Sequence, residues 1–171
     1  YHQPPFYREL RRYDGTLNKD LKAQKSYQIS GGFDYNFTMF QRPARITTEA
    51  YYKYMYDVVP YDIDNVRVRY FGENEAKAFA AGIETRLYGE LVKDAESWIS
   101  FGIMKSKENL ENATYQQYIL DNNNKVIDSV TKSVGWVRRP TDRLISFGMF
   151  FLDYLSTNKN FKFYMNLSYT L

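Results

Sequence analysis

Cysteine is absent from the 171 residues. Disulfides, thiolate metal sites and cysteine nucleophiles are therefore excluded within the chain. Histidine occurs once, as His2, which confines any histidine-based catalytic dyad to one end of the sequence. Neither charge sign dominates: the formal net charge is +3, the signs are interspersed and no block of like charge occurs, a poor electrostatic footing for nucleic acid. There is no run of about eighteen apolar residues, which excludes a membrane helix but not a membrane β-barrel, whose strands are only half apolar. GxSxG, HExxH, P-loop and paired-carboxylate motifs are missing, and Asp62 with Asp64 is too sparse a pattern for a calcium loop. The expectation is a non-enzyme with no metal and no cofactor. No basic segment leading into an apolar one follows Tyr1, so an export signal is expected to have been removed or to lie upstream.

What the sequence does hold is aromatic side chains, 18% of the total, with seventeen Tyr and twelve Phe. Tyrosine suits a membrane–water boundary, where one end is apolar and the other wet. The apolar residues also recur in steps of two, the period of a strand with one greasy side. From Tyr27 to Phe37 the odd positions are Tyr27, Ile29, Gly31, Phe33, Tyr35 and Phe37, against Gln28, Ser30, Gly32, Asp34 and Asn36. The same alternation marks 44–56, 79–87, 97–104, 144–154 and 161–171. The last two carry Ile145, Phe147, Met149 and Phe151, then Phe161, Phe163 and Met165, on one face. The predicted fold is all-β: an antiparallel meander of about six strands, a partial transmembrane outer-membrane β-barrel over 1–171.

Connections between these strands alternate in length. Short ones are predicted near Gln41 to Pro43, Lys93-Asp94 and Ser156 to Asn160; long ones at 57–75, with Pro60 and a possible hairpin at Val66 to Tyr70, and at 105–142. Residues 1–24, a mixture of turn formers and charges, are predicted to be another long loop. Outer-membrane barrels show this alternation because their periplasmic turns are short and their external loops long. The long loops are thus expected outside the cell.

On this reading Asp34, Asn36, Arg45, Glu49, Lys53, Glu84 and Arg86 face the lumen, because an Arg or Lys on the lipid face costs about 2 to 4 kcal/mol near the midplane. They would contact a substrate, or form cross-strand pairs that keep the register. Tyr51, Tyr52, Tyr54 and Tyr56 would form either a stacking platform or an interfacial girdle. Arg138, Arg139 and Arg143 would grip an acidic ligand or phosphate, or be solvated strand ends. Arg67, Arg69, Tyr70, Trp136, Arg138 and Arg139, which stand in the long loops, are the candidate ligand-binding residues.

Several stretches carry a family likeness. Gln3-Pro4-Pro5-Phe6-Tyr7-Arg8-Glu9, Leu21-Lys22-Ala23-Gln24-Lys25-Ser26 and Glu49-Ala50-Tyr51-Tyr52-Lys53-Tyr54 are three of them. Others are Val59-Pro60-Tyr61-Asp62-Ile63-Asp64-Asn65-Val66-Arg67 with Tyr70, Asn74-Glu75-Ala76-Lys77, Gly82-Ile83-Glu84, Glu96-Ser97-Trp98 and Arg139-Pro140-Thr141-Asp142. Nearly end to end, the chain resembles the C-terminal barrel of TonB-dependent outer-membrane receptors of Bacteroidetes-type bacteria. The resemblance implies a bacterial outer-membrane location and active import of a scarce solute, such as a metal chelate, oligosaccharide or peptide, with energy from the inner membrane. It implies as partners outer-membrane lipid, a plug domain, the remaining strands of a barrel of about 22, and the TonB complex through a segment outside this chain. Six strands are too few to close a barrel, which needs about eight, so further chain is expected beyond Leu171. The alternative is a non-transporting outer-membrane surface or assembly scaffold. A soluble β-sandwich is a third possibility, one that would have to bury the Phe147 and Phe163 face in a core.

Overall fold

Period-two alternation produces strands along almost the whole chain. The computed structural model describes residues 1–92, 95–122, 124–155 and 158–171. Its elements are β1 (His2–Gln3), β2 (Gln24–Met39), β3 (Arg42–Val58), β4 (Tyr61–Asp64), β5 (Arg67–Tyr70), β6 (Ala76–Val92), β7 (Ala95–Leu110), β8 (Thr114–Leu120), β9 (Val126–Ser133), β10 (Trp136–Arg138), β11 (Ile145–Leu155) and β12 (Asn158–Thr170). No helix occurs among the described residues. The main sheet has the order β1-β2-β3-β6-β7-β11-β12, with β10 added against β7. It is open, with β1 at one end and β12 at the other. The architecture is therefore an all-β antiparallel sheet whose six long strands follow one another as a meander.

The long strands extend past their predicted limits by one to six residues at most ends, because polar residues such as Lys105 and Lys107 continue the backbone ladder without continuing the greasy face. The first turn is tighter than predicted. Phe40 and Gln41 both have positive φ, 51° and 60°, the signature of a two-residue hairpin turn matched to strand twist. Pro43 consequently lies inside β3. The predicted turn at Lys93-Asp94, Ser156 and Thr157 of the turn predicted at Ser156 to Asn160, and Asn123 of the asparagine run lie outside the described residues, while Asn158 to Asn160 belong to β12 rather than to a turn.

The regions predicted as long loops are ordered, and this is the main correction. In 1–24, His2 and Gln3 pair with Lys25 and Gln24, so His2 belongs to a sheet edge. Residues 10–18 fold back on themselves: Arg11 bridges Leu17, and the Asn18 amide donates to the Leu10 carbonyl at 2.7 Å. In 57–75, β4 and β5 form a hairpin whose turn residues Asn65 and Val66 both have positive φ. In 105–142, β8 and β9 form a second hairpin, and β10 pairs Trp136 with Asn109 and Arg138 with Lys107. The hairpin predicted at Val66 to Tyr70 is thus longer than expected, its four-residue strands setting Tyr61, Ile63, Val68 and Tyr70 on one face and Asp62, Asp64, Arg67 and Arg69 on the other, whereas β8 and β9 were illegible as strands because Gln, Ser, Thr and charged residues interrupt both of their faces.

Two compact units divide the residues. The first comprises 1–27, 54–79 and 106–141; the second comprises 28–53, 80–105 and 142–171. The first has a small true core: Val58, Ala76 and Ala78 are buried, with Met55 and Leu110 packed against them. In the second, directly opposed residues of β7, β11 and β12 match in character. Ile145 faces Ile103 of β7, Phe147 faces Phe101 of β7 and Tyr169 of β12, Met149 faces Ile99 and Leu167 in the same way, and Phe151 faces Met165 of β12. Cross-strand partners share a face, so these residues form one apolar surface. Its β7 and β12 members Phe101, Ile103, Met165, Leu167 and Tyr169 are exposed, Phe101 at 46% and Leu167 at 50%, and Ile99, Ile145, Phe147, Met149 and Phe151 are half-buried.

Candidate functional site

The opposite face of the second unit is polar. Asp34 lies 3.6 Å from the Arg45 Nε and accepts a hydrogen bond from the Thr47 hydroxyl. Arg45 and Arg86 both lie against the Tyr88 ring, at 5.3 and 5.8 Å from its centroid, and Arg86 also stacks on Trp98 at 5.2 Å. Glu49, Glu84 and Arg86, with Thr47 and Tyr88, line an open groove of about 380 Å³. Asn36 and Arg45 border a neighbouring one of about 550 Å³. Of the residues predicted to share one face, Asp34, Asn36, Arg45, Glu49, Glu84 and Arg86 are thus brought together. Lys53 follows Glu49 by four positions in β3, on the same face by alternation. Arginine over aromatic rings, with carboxylates nearby, makes an open polar face ordered by cation–π contacts.

The four tyrosines of 51–56 do not make one platform. A Cβ added at Gly82 would sit 2.7 Å from the Tyr51 hydroxyl, so Tyr51 crosses the polar face over a residue that must be small. Tyr52, Tyr54 and Tyr56 alternate to the other side. There Tyr56 stacks on Tyr27 at 5.7 Å and donates its hydroxyl to the Tyr27 oxygen at 3.3 Å.

In the first unit, the six predicted solute-binding residues separate into two groups. Trp136 packs edge-on against Phe79 at 5.2 Å, a structural contact. Arg138 is exposed, and its backbone pairs with Lys107. Arg139 is engaged. Its Nε lies 3.2 Å from the Glu108 Oε2, with side-chain exposures of 15% and 7%, and its guanidinium sits 5.8 Å from the Tyr61 ring centroid. The close approach lacks hydrogen-bond alignment on both atoms. Burial pushes the Glu108 carboxyl above its ordinary range, with Arg139 opposing that shift.

Arg67, Arg69 and Tyr70 instead line a groove of about 740 Å³. Three further arginines, Arg8, Arg11 and Arg12, and two tyrosines, Tyr7 and Tyr13, complete it. The sequence reading missed these five because they stand in a segment without strand periodicity. The available signal was the density of Arg and Tyr over Tyr7 to Tyr13. What joins the two segments is a close backbone approach. Gly72, at φ +73°, would place a Cβ 2.9 Å from the Arg12 backbone, so only glycine fits. Asn18, buried, donates to the Gly72 carbonyl at 2.8 Å and to Glu73 at 3.0 Å, and Glu73 accepts from the Arg12 Nε at 2.5 Å. Arg69 pairs with Asp64 at 3.0 Å and lies 5.7 Å from the Tyr13 ring centroid. Burial raises the Tyr70 hydroxyl above its ordinary value, with Glu9 adding to that shift and Arg8 opposing it.

Comparison with protein-family models, curated proteins and solved structures gives no match.

Proposed function

We propose that this chain forms part of the wall of an outer-membrane β-barrel, in a receptor of the TonB-dependent type that its sequence stretches resemble. The whole receptor would capture a scarce solute, such as a metal chelate, oligosaccharide or peptide, and import it actively. The observation that carries the reading is the exposed apolar surface on β7, β11 and β12, set against a polar face bearing Arg45, Glu84 and Arg86. A soluble sheet with one greasy face needs a second layer to cover it. Lipid supplies that layer for a barrel wall, and alternation of apolar-out with polar-in along each strand is the barrel pattern. The plug and the TonB-contacting segment would lie outside this chain.

The absence of cysteine makes the test direct. Single cysteines replacing Phe147 or Leu167 on one face, and Ser146 or Ser168 on the other, are labelled with an environment-sensitive dye in the whole protein in outer-membrane vesicles. Quenching by lipid-borne nitroxides at 147 and 167 but not at 146 and 168 is the expected result. Equal quenching on both faces, or none, refutes the wall.

The second reading, a non-transporting surface or assembly scaffold, draws on the open sheet ends at β1 and β12, whose unpaired backbone groups invite another chain. Solute uptake that persists after the proton gradient is dissipated argues against energised import; collapse of uptake argues against the scaffold.

A further inference from the structure

Charge is distributed unevenly over the first unit. The chain as a whole has 23 Lys and Arg against 20 Asp and Glu, yet the groove built from the 7–15 and 66–70 segments is lined by five arginines and no acid. Two of the five are paired from outside the lining, Arg12 by Glu73 and Arg69 by Asp64. Arg8, Arg11 and Arg67 are exposed and make no ion pair among the described residues. Asp64, opposite Arg67 in the hairpin and engaged by Arg69, and Glu73 leave the five arginines with an excess of like charge, and the arrangement gains stability when an anion enters.

The groove is also held open in advance. Gly72 permits the close backbone approach, and Asn18 and Glu73 tie the 10–18 fold to the segment that follows β5. The guanidiniums therefore do not have to be gathered at the moment of binding, which lowers the ordering cost. Guanidinium presents a planar fork that matches phosphate, sulfate or carboxylate oxygens in pairs. Tyr13, 71% exposed, and Tyr7 offer flat faces beside those forks. Flat aromatic faces with amphipathic edges suit the ring of a sugar. A volume of about 740 Å³ lies in the range of small-ligand clefts, not of macromolecular grooves.

We propose that this groove is a binding site for a sugar carrying at least two phosphate or sulfate groups, with Arg8, Arg11 and Arg67 taking the anionic groups and Tyr7 and Tyr13 the ring. The site stands whether or not the main sheet crosses a membrane, since all of its residues belong to the first unit. Two sources offer this chemistry: a free anionic oligosaccharide, or the phosphorylated sugar headgroup of a lipid.

The test is calorimetric titration of the whole protein in detergent with a disulfated disaccharide, with inorganic phosphate, and with vesicles bearing a phosphorylated glycolipid, each against its uncharged counterpart. The double variant Arg11→Gln/Arg67→Gln is compared with Lys132→Gln, an exposed lysine of β9 outside the groove. The expected result is saturable binding of the disaccharide, weaker binding of phosphate, at least a tenfold loss in the double variant, and no loss in Lys132→Gln. Binding of the vesicles alone, lost in the same variant, assigns the site to the lipid headgroup. Absence of binding by all three probes overturns the proposal, as does equal binding by the double variant. Far-UV circular dichroism on both variants separates loss of binding from loss of fold.

Discussion

In the unit of residues 1–27, 54–79 and 106–141, Val58 is 1% exposed and Ala78 fully buried, the buried Asn18 bonds to Gly72 54 positions away, and the half-buried Arg139 pairs with Glu108. In the unit of residues 28–53, 80–105 and 142–171, Ile29, Ile83, Phe101 and Leu167 lie open although they are at least as apolar. The first unit keeps its strands in place by side chains that water cannot reach. The second has almost no such interior, and its order rests on backbone ladders and on whatever covers its greasy face. The first unit buries a small apolar cluster of its own, and the second presents its apolar face without a covering layer among the described residues.

That contrast can be broken most forcefully by a charge on the greasy face. Leu167→Arg is expected to cost up to about 4 kcal/mol in folding into lipid vesicles, while Ser168→Arg, one step along β12, costs little. Urea titrations of the two variants check it, and equal effects would mean that β12 does not have a lipid side. Next comes the interior of the first unit. Arg139→Met strands the Glu108 carboxylate in its half-buried site at a cost of about 3 kcal/mol, the lower end for a broken buried pair because the contact lacks hydrogen-bond alignment. The double variant Arg139→Met/Glu108→Leu should recover most of that loss.

Gly72→Ala is expected to cost about 2 kcal/mol, from its positive φ and from the Arg12 backbone that a Cβ would strike. It should weaken the anion site along with the fold, unlike the arginine variants. Val66, 97% exposed at φ 69°, is a β-branched residue in a conformation that favours glycine, so Val66→Gly should raise stability by about 1 kcal/mol in thermal melts.

The pH dependence sharpens the same comparison. Glu108 lies outside the stretches proposed to cross the membrane, and its folded pKa is raised, so the folded state holds that proton more tightly than the unfolded chain does. Its contribution is fully present below the unfolded value of about 4.5 and is lost as pH rises through the folded one. Denaturation midpoints across the acidic range should fall less steeply with rising pH in Glu108→Gln than in the natural chain. An unchanged slope would show that Arg139 compensates the burial fully.

The six long strands were legible because alternation is local: Phe147, Met149 and Phe151 announce a face without reference to any other part of the chain. The hairpin β4–β5 was legible only in part, as a hairpin at Val66 to Tyr70, and β8–β9 was not, since Gln116, Gln117, Asp128 and Thr131 interrupt any apolar side by which a strand could be recognised. Of the candidate binding residues, Arg67, Arg69 and Tyr70 reach a groove and Arg139 an ion pair, although all stood in regions read alike as loops.

By itself the sequence determined the class of structure and the orientation of its faces, because a period of two fixes which side chains stand on which side of a strand. The convergence of Arg8, Arg11 and Arg67, and the engagement of Arg139 with Glu108, were decided only in the tertiary structure. Both depend on contacts between residues far apart in the chain, the first made possible by Gly72 without a Cβ and the buried Asn18, the second by the pairing of β10 with β7, and no local pattern encodes them.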